Sequence, residues 1–193
     1  MKTDGSHTLP FKDCLKSMHE ASMMGRIVHR NKLFNVVESQ LNVRGRKAKM
    51  YWVSKPDTVA VLPINKDGSI ILERQFRPAV GKRIYELPAG HIDKGERPLH
   101  AARRELEEET GLRASRLQLL TTIYPSPGVM DGKEYIYIAD GLEKGSTNLD
   151  PDELIDVERV SMGRALGMVK SGKIMDAKSV AAILFYCMAE PRK

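Results

Sequence analysis

Gly90 to Leu112 reads GHIDKGERPLHAARRELEEETGL, a loop running into a helix around which the rest of the architecture can be placed. Pro98 suits a first helical turn, where its missing N–H is not needed, and Gly111 suits the C-terminal cap. At about 100° per residue, Glu105, Glu108 and Glu109 share an arc of about 100°, while Glu107 points nearly the opposite way. Leu99, Ala102 and Leu106 form an adjoining apolar stripe. The helix can therefore bury one stripe and aim three carboxylates into a neighbouring cleft.

Carboxylates at i, i+3 and i+4 repel one another, the more so when partly desolvated, so the cleft needs positive charge. Hard divalent cations take oxygen ligands, and magnesium commonly combines a few carboxylates with retained water and substrate phosphates. An acidic run on its own reads as a solvated helix face tempered by Arg103 and Arg104. Here it belongs to a grid of seven residues, Gly90, Glu96, Arg104, Glu105, Glu108, Glu109 and Gly111. Such a grid arises by chance on the order of once in 10^8 starting positions, which excludes coincidence. Glu96 and Arg104 lie outside the carboxylate arc and suit an ion pair holding loop to helix. Gly90 and Gly95 permit backbone shapes that bring a main-chain carbonyl near Ala89 to the same cleft.

These residues resemble the Nudix box, G-(five residues)-E-(seven residues)-R-E-U-x-E-E-x-G-U, with Leu106 and Leu112 at the bulky aliphatic positions U. The resemblance covers about Asp57 to Cys187. It implies a mixed-sheet α/β/α sandwich and hydrolysis of a nucleoside diphosphate linked to another moiety. It further implies two or three Mg²⁺ ions, with Mn²⁺ as an alternative, on Glu105, Glu108, Glu109 and the Ala89 carbonyl. Glu73-Arg74-Gln75-Phe76-Arg77 and Tyr85-Glu86-Leu87-Pro88-Ala89-Gly90 look like the upstream pattern of the ADP-ribose and nucleotide-sugar pyrophosphatase branch. So does Pro127, 15 residues beyond Leu112, although alone it reads as an ordinary loop breaker.

The expected reaction is hydrolysis of ADP-ribose or a related nucleotide sugar to a nucleoside monophosphate and a sugar phosphate. Arg77, Arg74 and Arg83 are candidates for clamping the diphosphate, with Glu86 and Pro127 beside them at the substrate. Metal acidifies bound water, so the nucleophile need not depend wholly on a protein base. The resemblance nevertheless implies a glutamate on an acidic loop after the box, and the stretch Asn148 to Leu154 offers Glu153 as base or further metal ligand, although Pro151 interrupts it. Tyr85, Tyr124 and Tyr135 could stack on a nucleobase or pack in the core. Rival readings are a GDP-mannose or broad nucleotide-sugar pyrophosphatase, a non-catalytic ADP-ribose or nucleotide-sugar sensor, and removal of pyrophosphate from RNA ends.

The chain has 193 residues, enough for one sizeable core, and 41% hydrophobic content is ordinary for a globular protein. No apolar run is long enough to span a bilayer, and the first residues lack the apolar core of a secretory signal. Cys14 and Cys187 stand in no metal-binding spacing, so a cytoplasmic location is expected. The net charge of +6 is N-terminal: residues 1 to 56 carry 11 Lys and Arg against 4 Asp and Glu, and the remainder 20 against 21. The densest stretch, Arg44 to Lys49, has only Tyr51 and Trp52 nearby and no stacking platform, which disfavours nucleic acid as partner.

Residues 1–24 read as a leader with an amphipathic helix over Phe11 to Met24. Residues 25–56 read as a small antiparallel sheet with strands over Leu33 to Glu38 and Lys49 to Val53 around a turn at Gly45. The Nudix domain is expected over residues 57–193. Within it, Thr58 to Ile64 and Ser69 to Phe76 read as a hairpin across Asn65-Lys66-Asp67-Gly68. Strands follow at Leu117 to Tyr124 and Glu134 to Ala139, then helices at Met162 to Lys170 and Ala177 to Ala189. In the branch this sequence resembles, an N-terminal sheet builds a two-fold homodimer bordering the active site.

Overall fold

The computed structural model describes residues 25–43, 45–149 and 154–189. The leader helix expected before Gly25 and the candidate base Glu153 lie outside the described residues. The chain divides into two compact units, one up to Ser54 and one from Lys55 onward.

The first unit contains a three-stranded antiparallel sheet in the order β1 (Arg26–Arg30), β2 (Asn35–Val43), β3 (Arg46–Ser54). The β1–β2 turn forms because the Asn31 side chain accepts from the backbone N–H groups of Leu33 and Phe34 at 2.8 and 2.9 Å, a local turn suited to asparagine. Gly45 closes β2 onto β3 with φ 79°, a left-handed conformation that favours glycine. The antiparallel sheet expected before the sandwich is present, with β1 as an additional strand.

The second unit is the expected sandwich. Its centre is a mixed four-stranded sheet in the order β7 (Ala89–His91), β4 (Thr58–Pro63), β9 (Glu134–Lys144), β8 (Leu112–Ile123), with β4 and β9 parallel. Strand β4 is buried at every position, so its residues supply both faces of the sheet. Val59 and Val61 pack with Ala101, Ala102 and Leu106 of α1 (Pro98–Thr110). Ala60 and Leu62 face the other way, toward α2 (Met162–Lys170), α3 (Ala177–Ala189) and a second sheet. That sheet is antiparallel, in the order β10 (Ile155–Ser161), β5 (Ser69–Arg77), β6 (Lys82–Glu86).

The hairpin expected between β4 and β5 does not form. The turn itself exists, with Gly68 at φ 77°, but the strands share only the isolated bridge Ile64 to Ile70. Both edges of β4 are taken, by β7 and β9, so β5 crosses into the other sheet. Strand β8 begins directly at Leu112 because Gly111, at φ 68°, turns the chain as the helix ends. Both C-terminal helices fall where the sequence places them; the Ser161 hydroxyl caps α2 by accepting from the Arg164 N–H at 3.2 Å, satisfying an otherwise unpaired donor.

Candidate active site

Helix α1 starts at Pro98 without a side-chain cap on Arg97; its approach loop is held from within the helix instead. Arg104 donates to both oxygens of Glu96, from Nε at 3.2 Å and from Nη2 at 2.9 Å. The same Nη2 donates to the His91 carbonyl at 2.9 Å, and Glu96 accepts the Asp93 N–H at 3.1 Å. This is the ion pair expected from the spacing, but Arg104 does more than join loop to helix. Its Nη1 donates to Glu105 Oε1 at 2.7 Å and to Glu108 Oε2 at 3.0 Å, supplying positive charge between two members of the carboxylate arc. The hydrogen bonds to Glu96 lead in raising the Arg104 pKa, and Glu105 and Glu108 add to them against burial. Reciprocally, the bond from Arg104 holds Glu96 below the usual carboxylate range.

The arc is set against strand β7. A Cβ on Gly90 would fall inside the Glu105 carboxylate, so only glycine lets this side chain cross the strand. One residue earlier, the Ala89 N–H donates to Glu109 Oε2 at 2.7 Å. Glu105 and Glu109 are buried, at 9% and 3% exposure, whereas the Glu108 side chain keeps 33%. Two carboxylates are thus fixed against backbone and the third reaches solvent. These are all hard oxygen donors, the chemistry that suits magnesium or manganese. Among the described residues no three His, Cys, Asp or Glu side chains close to metal-binding spacing; Arg104 pairs with Glu105 and Glu108 of the arc. A hollow of about 460 Å³ on the flank of α1 is lined by His100, Arg103, Glu107, Ser146 and Asn148 and shares Arg104 and Glu108 with the cluster.

The candidate substrate residues separate by strand alternation. Across β5 and β6, Glu73 opposes Glu86, Arg74 opposes Tyr85, Phe76 opposes Arg83 and Arg77 opposes Lys82. Residues two apart share a face, so Arg77 lies on the Glu86 face while Arg74 and Arg83 lie on the other. Arg77 forms a two-pronged pair with Glu86, Nε to Oε1 at 2.7 Å and Nη2 to Oε2 at 2.9 Å. That hydrogen bonding leads in raising the Arg77 pKa, with Glu109 among the charges that add to it. Arg74 sits over the Tyr85 ring at 5.7 Å, and Arg83 pairs with Asp156 at 2.7 Å. The structure therefore brings Arg77 and Glu86 together near Glu109 and leaves Arg74 and Arg83 apart from them.

Pro127 is exposed in a turn where the Ser126 carbonyl accepts from Val129 and Met130 at 3.0 and 2.9 Å. Tyr85 is a core residue whose hydroxyl donates to Glu158 at 3.0 Å. Tyr135 packs beside the α1 core, and Tyr124 is exposed with Lys133 5.9 Å from its ring.

Three charged residues that sequence reasoning passed over adjoin the pair. Lys178, in the first turn of α3, donates to Glu86 Oε2 at 2.6 Å and to Asp176 Oδ1 at 2.9 Å. Burial disfavours its charge, but Asp176, Glu86 and Glu134 outweigh burial and raise its pKa. For Glu86, burial pushes the pKa up, and Arg77 and Lys178 override it to leave it lowered. Glu134 goes the other way: burial dominates and raises its pKa. The available signal was Asp176-Ala-Lys178 at the head of an otherwise apolar helix.

An acidic helix lies across one face of a mixed sheet, with a glycine at the crossing and a charged pair at the strand ends, an arrangement of hard oxygen donors and a guanidinium suited to metal-assisted hydrolysis. The NUDIX domain family model matches residues 54–182. An ADP-ribose pyrophosphatase of Bacillus subtilis (strain 168) is 35% identical over 179 residues, covering 91% of this chain and 97% of its own. A methanol dehydrogenase activator of Bacillus methanolicus is 36% identical, covering 77% and 82%. A crystal structure of an ADP compounds hydrolase superposes with TM-score 0.77 at 25% identity, over 86% of this chain and 91% of the other. The chain belongs to the Nudix hydrolase family and is an enzyme of that class.

Proposed function

We propose that the protein hydrolyses the diphosphate bond of ADP-ribose or a related nucleoside diphosphate sugar, with Mg²⁺ as cofactor, giving a nucleoside monophosphate and a sugar phosphate. The observation that carries this reading is the seating of Glu105 and Glu109 against Gly90 and Ala89, with Arg77 and Glu86 alongside. The names of the relatives, ADP-ribose pyrophosphatase and ADP compounds hydrolase, support the substrate class. Glu105, Glu108, Glu109 and the Ala89 carbonyl would hold the metal, which when bound offsets phosphate charge and acidifies bound water.

In this reading Arg77 binds the diphosphate oxygens, and Glu86 orients its guanidinium so that little freedom is lost when substrate arrives. Glu153 takes the proton from the attacking water. Arg74 and Arg83 act only if substrate extends to their face of the β5–β6 ribbon, and Pro127 shapes the loop between β8 and β9 at the substrate. The enzyme is a cytoplasmic homodimer built through its first unit, which light scattering tests. The activity is tested by incubating the protein and Mg²⁺ with ADP-ribose, GDP-mannose, ADP-glucose, UDP-glucose and NADH and comparing kcat/KM. The highest value is expected for ADP-ribose, with AMP as product. A preference for GDP-mannose would move the substrate assignment, and binding without turnover of any member would replace the enzyme reading by a sensor.

A further inference from the structure

The Glu86 carboxylate is shared between two cations. Its Oε1 takes Arg77 Nε, and its Oε2 takes both Arg77 Nη2 at 2.9 Å and Lys178 Nζ at 2.6 Å. Glu86 is 3% exposed and Lys178 7%, whereas the Arg77 side chain keeps 39%. The anchored end of this chain of contacts is thus Lys178, and the end that can meet a ligand is Arg77. Lys178 is in turn fixed by Asp176, whose carboxylate accepts the Ser179 N–H at 3.0 Å and the Ser179 hydroxyl at 2.5 Å. The Ser179 oxygen accepts the Leu87 N–H at 2.8 Å. Residues 86 and 87 are therefore both bound to the first turn of α3, immediately before the Ala89 N–H that holds Glu109.

We infer that Lys178 is a positioning residue for substrate binding, fixing through Glu86 the direction in which Arg77 presents its guanidinium. The inference rests on the proposed role of Arg77 at the diphosphate. A half-exposed arginine at a strand end has many rotamers, and holding it in one before substrate arrives removes an ordering cost from binding. A buried carboxylate shared with a buried ammonium provides that hold, because neither partner can turn to water instead. Lys178 touches no reacting atom in this arrangement, so its loss should act on substrate affinity more than on turnover.

The test is a double-mutant cycle on ADP-ribose hydrolysis with Arg77→Ala and Lys178→Met. Lys178→Gln replaces Lys178→Met if the latter fails to fold by circular dichroism. Arg77→Ala is expected to raise KM at least tenfold. Lys178→Met is expected to raise KM about tenfold, the scale of one ordered side chain, with kcat within twofold, and to add nothing further in the Arg77→Ala background. If Arg77→Ala raises KM but Lys178→Met and Lys178→Gln leave it unchanged, or if the two effects multiply, the positioning role is overturned and Arg77 stands. If Arg77→Ala leaves KM unchanged, the proposed role of Arg77 fails, and the role of Lys178 with it.

Discussion

Gly90→Ala isolates the crossing of Glu105 over strand β7. The backbone of Gly90 does not have positive φ, so alanine costs nothing in chain conformation, and the perturbation is purely steric. The new methyl would occupy the Glu105 carboxylate, which must retreat by roughly 1 Å to regain normal contact. The helix cannot carry it away as a unit, because Ala101, Ala102 and Leu106 are fully buried against the sheet. Crowding of this kind costs about 1–3 kcal/mol, offset by up to ~1 kcal/mol gained when glycine is removed from the unfolded chain. A displacement of about 1 Å at a catalytic group costs on the order of 10²-fold in rate. Thermal unfolding and kcat/KM for ADP-ribose should therefore both fall, and Glu105→Asp in the same chain, being one methylene shorter, should restore stability without restoring rate. A Gly90→Ala protein with wild-type melting temperature and wild-type kcat/KM would refute the seating of Glu105 on Gly90.

Three further outcomes follow from other parts of the molecule. Arg104→Met leaves Glu96, Glu105 and Glu108 without their shared guanidinium; at this partial exposure the loss should be about 1–2 kcal/mol by urea unfolding, smaller at high salt. Gly111→Ala places a side chain at φ 68° and 3.0 Å from Thr147 Cγ2, costing about 1–2 kcal/mol, or roughly 2–8 °C in melting temperature for a chain of this size. Hydrogen bonds from Ser69, reinforced by Arg159, hold the Asp67 carboxyl down to about 2. Because the folded pKa is depressed, its contribution is present above the unfolded value of about 3.9 and is lost as pH falls from there through the folded value of about 2. The melting-temperature gap between wild type and Asp67→Asn should therefore close over that interval; a constant gap would contradict the assignment.

Helix α1 was legible because its signals are local: Pro98 and Gly111 bound it, and one face is apolar while another is acidic. The crossover after β4 was not, since Asn65 to Gly68 makes the same turn whether the next strand pairs back or leaves the sheet, and the decision rests with β7 and β9. Strand β10 escaped because the alternation of Ile155-Asp156-Val157-Glu158 breaks at Arg159 after four residues, too short a run to decide a strand without its pairing to β5. At the site, Glu105, Glu108 and Glu109 could be placed on one arc from spacing alone. The seating of Glu105 on Gly90 and of Glu109 on Ala89 needed the fold. Arg74 and Arg77 are three residues apart, a spacing that already puts them on opposite faces of a strand. Lys178 stands at a helix start beside Asp176, a local pair that sequence can suggest, but its burial and its bond to Glu86, 92 residues away, needed the fold.

Glu109 accepts the Ala89 N–H at 2.7 Å and belongs to the proposed metal cleft, so its charge is the most direct handle on the chemistry. Glu109→Gln can keep that hydrogen bond while removing the charge. Measured with saturating ADP-ribose and Mg²⁺, its kcat for AMP release should fall by about 10²-fold or more, at least ~2.7 kcal/mol at the barrier, while its melting temperature stays close to wild type. AMP release by Glu109→Gln at the wild-type rate would contradict the assignment of the chemistry to this carboxylate cluster.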